Sequence, residues 1–299
     1  MSFVKKHPHF CVLGVATIAA IVLGVPFYYV LLGYLAYGVF MYFVNLPKCM
    51  GWTGYTFQFI FKKPKMAWPM YRYALKHQAK CSSPLIAYGL HLLEDCHYEE
   101  ALKTFQYVVT LPQINLTMLK FARQDLAIAY WKCGDLATGI STLEQMQIDY
   151  DIFSTEFYTT LGYFYIEAGE YDKALDISHQ ALMEDEACGP AYDNLAQIEY
   201  RRGNYEEAEE LFLRALDLKD TMADSKYYLG LIREMQGDVE SARTFFTAAH
   251  NSRITGLNTV TREQVDAKYE EYKEIKSCRF RTCLTKEPAA LRPKSWNPT

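Results

Sequence analysis

Few residues in this sequence have the types and spacing that chemistry at a site requires. His7 and His9 are separated by one proline and could ligate a metal, but they adjoin an apolar run and are interpreted as interfacial. Cys278 and Cys283 form one pair without a second pair at the spacing of a zinc site. The sequence has no P-loop, no Gly-rich dinucleotide turn, no Gly-x-Ser-x-Gly and no His-Glu-x-x-His. We therefore expect no enzyme, no metal, no cofactor and no small-molecule substrate.

Charge is unevenly distributed along the chain. Residues Met1 to Leu93 contain no Asp or Glu and carry +9, whereas Glu94 to Thr299 carry 35 acidic against 22 basic residues, which gives −13. A charge difference of this kind indicates that the basic N-terminal part binds an anionic partner, either a membrane or a nucleic acid. The apolar sequence in the same region favours the lipid bilayer, so we do not expect nucleic acid as a partner.

The N-terminal 47 residues predict a membrane segment. From Phe10 to Pro47 no residue is charged, and 38 residues in one helix would be about 57 Å long, well beyond a hydrocarbon core of about 30 Å. The break at Gly24–Pro26 divides this run. A hairpin with spans near Val4–Leu23 and Phe27–Val44 is preferred, and one kinked span with an interfacial remainder is the alternative. The run is too long for the core of a cleaved signal peptide.

Residues 48–81 mix basic and aromatic side chains. Such a mixture is typical of a belt lying on the inner leaflet, and a linker whose aromatic rings pack on the following domain is the alternative. The basic residues near the span favour a cytoplasmic location for the rest of the chain, although a single span with its N-terminus inside would export it. The membrane-surface candidates are Lys48, Lys62, Lys63 and Lys65.

Four columns of residues then recur every 34 positions. They are Leu161, Leu195 and Leu229; Gly169, Gly203 and Gly237; Ala174, Ala208 and Ala242; and Ala181, Ala215 and Ala249. A period of 34 is the length of a helix–turn–helix repeat. The pattern resembles the tetratricopeptide repeat (TPR) family. That resemblance implies an all-α solenoid in which glycines form the turns and alanines lie where paired helices approach closely.

The repeats divide the remainder of the chain. Three clear units cover residues 155–188, 189–222 and 223–256, and two divergent ones begin near Lys120 and Ser82, the earlier with Cys96 at the turn position. We therefore predict five repeats over residues 82–257. Thr261 and Gln264 have capping-box spacing and predict a capping helix over 258–277. The basic tail, 278–299, is expected to be disordered.

In TPR proteins the first helices of the units line a groove that accepts a peptide or a helix. Apolar and aromatic residues at the matching positions favour a protein partner that presents an amphipathic helix or an extended apolar segment. Any one tyrosine here could instead pack on the next unit. The predicted partner-binding residues are Phe121, Ile128, Trp131, Lys132, Tyr163, Ile166, Glu167, Asp193, Gln197, Tyr200, Arg201, Tyr227 and Leu231.

Two polar features of this surface can be compared with the family. The carboxylate clamp of chaperone-binding members needs Lys, Arg and Asn at set positions, and only Asn194 has a counterpart here. Lys132, Glu167 and Arg201 could form a ladder that sets the register of a partner, or a solvated helix edge. We expect a membrane-anchored scaffold or adaptor with its repeats in the cytoplasm. The alternatives are the same scaffold exported for envelope assembly or chaperoning, or a non-catalytic subunit of a membrane enzyme complex.

Overall fold

All regular structure in the described part of the chain is α-helical. The computed structural model describes residues 17–19, 22–150 and 154–281, with side chains to Lys273. The helices are α1 Phe27–Val44, α2 Leu46–Phe59, α3 Pro64–Lys76, α4 Ser82–Glu94, α5 Tyr98–Val109, α6 Leu116–Lys132, α7 Leu136–Tyr150, α8 Thr155–Ala168, α9 Tyr171–Glu184, α10 Gly189–Arg202, α11 Tyr205–Leu218, α12 Ala223–Met235, α13 Val239–His250 and α14 Arg262–Arg281. His7, His9, most of the predicted span Val4–Leu23 and residues 282–299 lie outside this part.

The chain divides into two compact units. The first contains Met1–Tyr88 and Tyr107–Met118, and the second contains Gly89–Gln106 and Leu119–Thr299. Cys49, Cys81, Cys96, Cys133 and Cys188 are free thiols.

Helix α1 has the bounds of the second predicted span. It is long and apolar enough to cross a membrane by length and composition, and none of it is buried. Gly24, just before it, has φ +70° and so breaks the helical path. The hydroxyl oxygens of Thr17 and Tyr34 lie 2.6 Å apart, so residues 17–19 lie beside α1.

The segment after α1, helices α2 and α3, is a helix pair that the repeat pattern did not predict. Gly54 of α2 faces the ring of Tyr71 of α3, which a Cβ on Gly54 would approach to 3.1 Å. Tyr71 is fully buried and stacks on Tyr88, with ring centroids 5.0 Å apart. Tyr71 of this segment therefore packs on Tyr88 of α4. The turn between the two helices remains exposed, with Phe59, Ile60 and Phe61 beside the exposed lysines of the membrane-surface set.

Where the 34-residue period is clear, a helix begins at the first residue of each predicted unit. Helices α8, α10 and α12 begin at Thr155, Gly189 and Ala223. The turn glycines have positive φ angles of 76° to 85°, a conformation that glycine adopts without strain: these are Gly169, Gly203 and Gly237. Cys96 has φ 62° at the matching position of the first repeat, so the divergent unit keeps the same turn with a less favourable residue.

A small residue on the first helix of a pair faces a large residue on the second. A Cβ on Gly89 would approach the ring of Phe105 to 2.6 Å, and one on Gly230 would approach Phe246 to 2.5 Å. The second-helix residues of this column are all fully buried, and all except Ser178 are large: Phe105, Leu143, Ser178, Phe212 and Phe246. The alanines at the other predicted close approaches are likewise fully buried: Ala174, Ala181, Ala208, Ala215, Ala242 and Ala249.

The final helix covers the last repeat. The backbone N–H of Gln264 donates to Thr261 Oγ1 (3.2 Å), and the N–H of Thr261 donates to Gln264 Oε1 (2.8 Å), which are the reciprocal bonds of a capping box. Val265 and Tyr272 are buried against helix α13. Helix α14 continues to Arg281, four residues beyond the predicted end at Ser277.

The glycine-on-ring contact predicts the stability effect of adding one methyl group. Gly230→Ala should lower the free energy of unfolding by roughly 1–3 kcal/mol, because the methyl group overlaps the Phe246 ring. Urea unfolding of the purified chain, followed by circular dichroism, measures the change. Phe246→Leu in the same background gives the new methyl group space, so the double variant should lose less than the sum of the two single losses. Additive losses would contradict this contact.

Candidate functional site

The predicted groove contains a loop of the same chain. Residues Arg253–Val260, here called the groove loop, connect α13 to α14 and run across the first helices of the repeats. The loop contacts residues of α4, α5, α6 and α12, and it lines one cavity together with residues of α6, α8 and α10. All of these helices except α5 are first helices of repeats, the elements that the family resemblance assigns to ligand binding. The groove therefore holds a stretch of polypeptide without regular structure.

Asp224, in the first turn of α12, binds one end of the groove loop. Its Oδ1 accepts hydrogen bonds from the backbone N–H groups of Thr259 and Val260, each at 2.8 Å, and from Thr259 Oγ1 at 2.6 Å. Its Oδ2 accepts from Asn258 Nδ2 at 2.6 Å. The Asp224 carboxylate is buried, and burying a charge away from water is unfavourable. The four hydrogen bonds that it accepts offset this cost.

Lys132, at the end of α6, binds the backbone carbonyl group of Asn258 in the loop. Its Nζ donates to the carbonyl oxygen of Asn258 at 2.7 Å and lies 3.8 Å from the centroid of the Trp131 ring. Burial lowers the pKa of Lys132 to about 8, and the charge of Asp224 opposes this shift. The lysine thus binds a backbone carbonyl of the loop, and the aspartate binds the backbone N–H groups of the next two residues.

The other end of the loop reaches the first repeat. The N–H of Gly256 donates to the carbonyl oxygen of Glu94 at 2.8 Å, and Tyr98 Oη donates to the carbonyl oxygen of Gly256 at 3.3 Å. The Arg253 guanidinium lies 3.1 Å from the Glu94 carboxylate. A Cβ on Gly256 would overlap the carbonyl oxygen of Leu93, so only glycine fits here.

Leu257 lies at an apolar cavity between the two polar anchors. The cavity has a volume of about 240 Å³ and is lined by Ile128, Trp131, Thr159, Thr160, Tyr163, Phe164, Pro190, Asp193, Asn194, Leu257 and Thr259. The Trp131 ring packs against Tyr163 and Phe164, with centroids 5.1 and 5.5 Å apart. Asn194 Nδ2 donates to the carbonyl oxygen of Thr159 at 2.8 Å, which fixes one wall. This arrangement can bind an apolar side chain from an extended peptide.

The structure brings five of the predicted site residues to the groove loop: Ile128, Trp131, Lys132, Tyr163 and Asp193. Other predicted residues have different roles. Ile166 and Gln197 are completely buried, so they stabilise the stack and offer no surface to a partner. Phe121 is 48% exposed and is not among the residues that line the cavity.

The remaining predicted residues pack between repeats or form ion pairs. Tyr200 packs edge-on against Tyr205 and Tyr228. Tyr227 and Leu231 pack on the Phe246 cluster beneath α14. The Arg201 guanidinium binds the Glu167 carboxylate and also donates to the carbonyl oxygen of Ile166, so this part of the proposed ladder joins two repeats. Lys132 binds the groove loop.

Asp224 is the residue that the sequence analysis missed. Acidic residues are common in the first turn of a helix because they interact favourably with the helix dipole, so Asp224 resembled an ordinary helix start. The available signal was its position at the start of a first helix in one of the three clear units.

A second carboxyl group, that of Asp193, lies beside this anchor. Asp193 accepts hydrogen bonds from Ser225 Oγ and, at 2.7 Å, from Gln197 Nε2. Burial, followed by the charge of Asp224, raises the pKa of Asp193 to about 7 despite these two donors. The wall of the cavity therefore changes charge near neutral pH.

Comparison with known proteins identifies the repeat type. Residues 159–223 and 194–253 match the tetratricopeptide repeat family model. No curated protein matches the sequence.

Among solved structures, a thermophilic TPR protein of Thermus thermophilus aligns with a TM-score of 0.54 and 16% identity, over 65% of this chain and 100% of that one. A tetratricopeptide repeat protein of Parabacteroides merdae aligns with a TM-score of 0.50 and 17% identity, over 76% of this chain and 98% of that one. The fold is therefore a TPR solenoid.

The raised pKa of Asp193 predicts a pH dependence of stability. Between about pH 4 and 7 the folded chain holds a proton on Asp193 that the unfolded chain has released, so the free energy of unfolding should fall as pH rises through this window. The slope should be on the order of 1 kcal/mol per pH unit. Asp193→Asn should remove this contribution in urea unfolding series at pH 5, 6, 7 and 8.

Asp125 provides the internal reference for this series. Burial raises its pKa to about 7 as well, so a smaller slope of the same sign should remain in Asp193→Asn. Equal slopes in the parent and the variant would mean that Asp193 is ionised throughout.

Proposed function

We propose that this protein is a membrane-anchored scaffold whose TPR groove binds an extended segment of a partner protein at the cytoplasmic face of the membrane. The observation that carries the proposal is the groove itself. It binds a non-helical stretch of polypeptide through an aromatic-lined cavity and through side chains that contact backbone groups. Contacts of this kind recognise a peptide main chain, with one apolar side chain as the anchor.

Helix α1 supports the membrane anchor. Its 18 residues extend about 27 Å, close to the thickness of a hydrocarbon core of about 30 Å. Its large apolar side chains are exposed, with Phe27 80% and Phe43 64% accessible, and a lipid environment removes this surface from water. The contact between Thr17 and Tyr34 supports the hairpin arrangement because it requires the chain to turn back before α1.

The turn between α2 and α3 supports a contact with the membrane surface. Phe59, Ile60 and Phe61 are between 51% and 71% exposed and immediately precede Lys62 and Lys63. Aromatic rings favour the headgroup layer, and each lysine near an anionic surface contributes roughly 1 kcal/mol. Lys48 and Lys65 are also exposed, which keeps the four predicted lysines available to lipid headgroups. The same basic residues favour a cytoplasmic location for the repeats.

Photo-crosslinking in intact cells tests the scaffold function. A probe at Ile128, which lines the cavity, should capture a discrete partner protein, identified by mass spectrometry. The same probe at Glu210, on the exposed surface of α11, is the matched control and should not capture it. Equal capture at the two positions, or no capture at either, would contradict partner binding in the groove.

Protease protection in sealed vesicles tests the sidedness. In inside-out vesicles, added trypsin should digest the repeats, because the proposed topology exposes them to the outer solution. Extraction with alkaline carbonate should leave the intact chain in the membrane pellet. Protection of the repeats without detergent would instead support the exported arrangement.

A further inference from the structure

The groove loop has the contacts of a bound ligand, although it belongs to the same chain. We propose that its middle, Thr255–Thr259, is an internal ligand that occupies the groove until a partner peptide displaces it. The partner peptide then carries an apolar residue followed directly by two residues with hydrogen-bond donors in their side chains. This inference rests on the proposed function and specifies what the groove binds and how access to it is controlled.

The backbone contacts explain why a segment from another protein can replace the loop. Asp224 accepts from the N–H of Thr259, the last residue of the displaced middle, and from the N–H of Val260, which stays in place. Lys132 donates to the carbonyl oxygen of Asn258. These groups belong to a turn in which the N–H of Asn258 donates to the carbonyl oxygen of Thr255 at 3.1 Å. A peptide of another protein that adopts the same turn presents its backbone groups in the same places. The groove therefore selects a peptide by its ability to form this turn and by its side chains.

Three side chains of the loop define the chemistry of the partner. Leu257 lies at the apolar cavity, and Asn258 and Thr259 then donate from their side chains to Asp224. A peptide without these two donors would leave the buried carboxylate with fewer partners, which is unfavourable. The residue before these three is Gly256, and a side chain at this position would overlap the carbonyl oxygen of Leu93.

The ends of the loop allow its middle to leave. Ile254 and Val260 pack in the cluster that also contains Ala249 and Val265, which holds both ends against α13 and α14. Helix α14 has its own capping box, and helix α13 ends in hydrogen bonds to its own last turn. Neither helix depends on the groove contacts of Thr255–Thr259.

The middle of the loop is a turn that its own hydrogen bonds stabilise. Asn258 Oδ1 accepts from the N–H of Thr255 at 2.8 Å, and Thr255 Oγ1 accepts from the N–H of Leu257 at 3.3 Å. These bonds stay within the loop. Since a tethered ligand has an effective concentration on the order of millimolar, a partner must bind strongly to compete with it. Weak peptides are thereby excluded.

A labelled peptide tests the proposal on the full-length chain in detergent. The peptide Ile-Thr-Gly-Leu-Asn-Thr-Val-Thr reproduces residues 254–261, and fluorescence anisotropy measures its binding. Gly256→Ala in the protein should displace the loop, so the peptide should bind this variant at least tenfold more tightly than the parent. Leu257→Ser with Asn258→Ala weakens the loop without altering the groove and should give the same direction of change. Circular dichroism confirms that each variant is folded.

Two controls show that the peptide occupies the groove. Asp224→Ala combined with Gly256→Ala should abolish the gain, because the acceptor for the peptide N–H groups is lost. A peptide with Ala at its glycine position should bind at least tenfold more weakly than the parent peptide, because it meets the carbonyl oxygen of Leu93.

The outcomes separate this inference from the proposed function. If folded loop variants and the parent bind the peptide equally, or none binds it, the loop is a fixed part of the fold and the inference is wrong. Tight binding to the loop variants only, without a crosslinked partner in cells, would support the internal ligand and contradict the scaffold function.

Discussion

The close approach of the two helices in each pair is the constraint on which the solenoid depends. A glycine or alanine on the first helix faces a large residue on the second, as Gly89 faces Phe105 and Gly230 faces Phe246. A side chain larger than alanine would separate the helices and change the angle at which the next pair stacks. Since each pair buries its apolar face only against its neighbours, the geometry of one contact is repeated along the array.

The groove follows from this repetition. Helices stacked at a constant spacing present successive side chains to one surface, so residues far apart in sequence can contact one peptide. Lys132, Asp193 and Asp224 come from three different repeats and meet around five residues of the loop. Burial, followed by the charge of Asp224 in the same small volume, raises the pKa of Asp193 to about 7.

Sequence alone predicted the elements that local rules determine. The positions of α8, α10 and α12 and their turn glycines follow from the 34-residue period, and Phe27–Val44 follows from the apolar run after Pro26. The pair α2 and α3 escaped prediction because its turn contains Lys62 in place of a glycine. In addition, the glycine and the ring that it faces are 17 residues apart in this pair, Gly54 and Tyr71, but 16 apart in the first repeat, Gly89 and Phe105. The pair therefore does not match the spacing of the repeats.

The site was less predictable because its composition depends on long-range contacts. Tyr163 lines the groove and Ile166 fills the core because of where the loop and the neighbouring repeat lie. The 34-residue period gives no information about these positions. Asp224 has a common helix-start position, and only the path of residues 253–260 distinguishes it from other acidic residues at helix starts.

The hydrogen bond between Gly256 and Glu94 has a consequence for how the array unfolds. An open array of repeats has only nearest-neighbour contacts, so its terminal units fray independently. A bond between the end of the last repeat and the first gives the array a contact that spans 162 positions of sequence. Fraying at one terminus then weakens the other, which couples the two ends into a single cooperative transition.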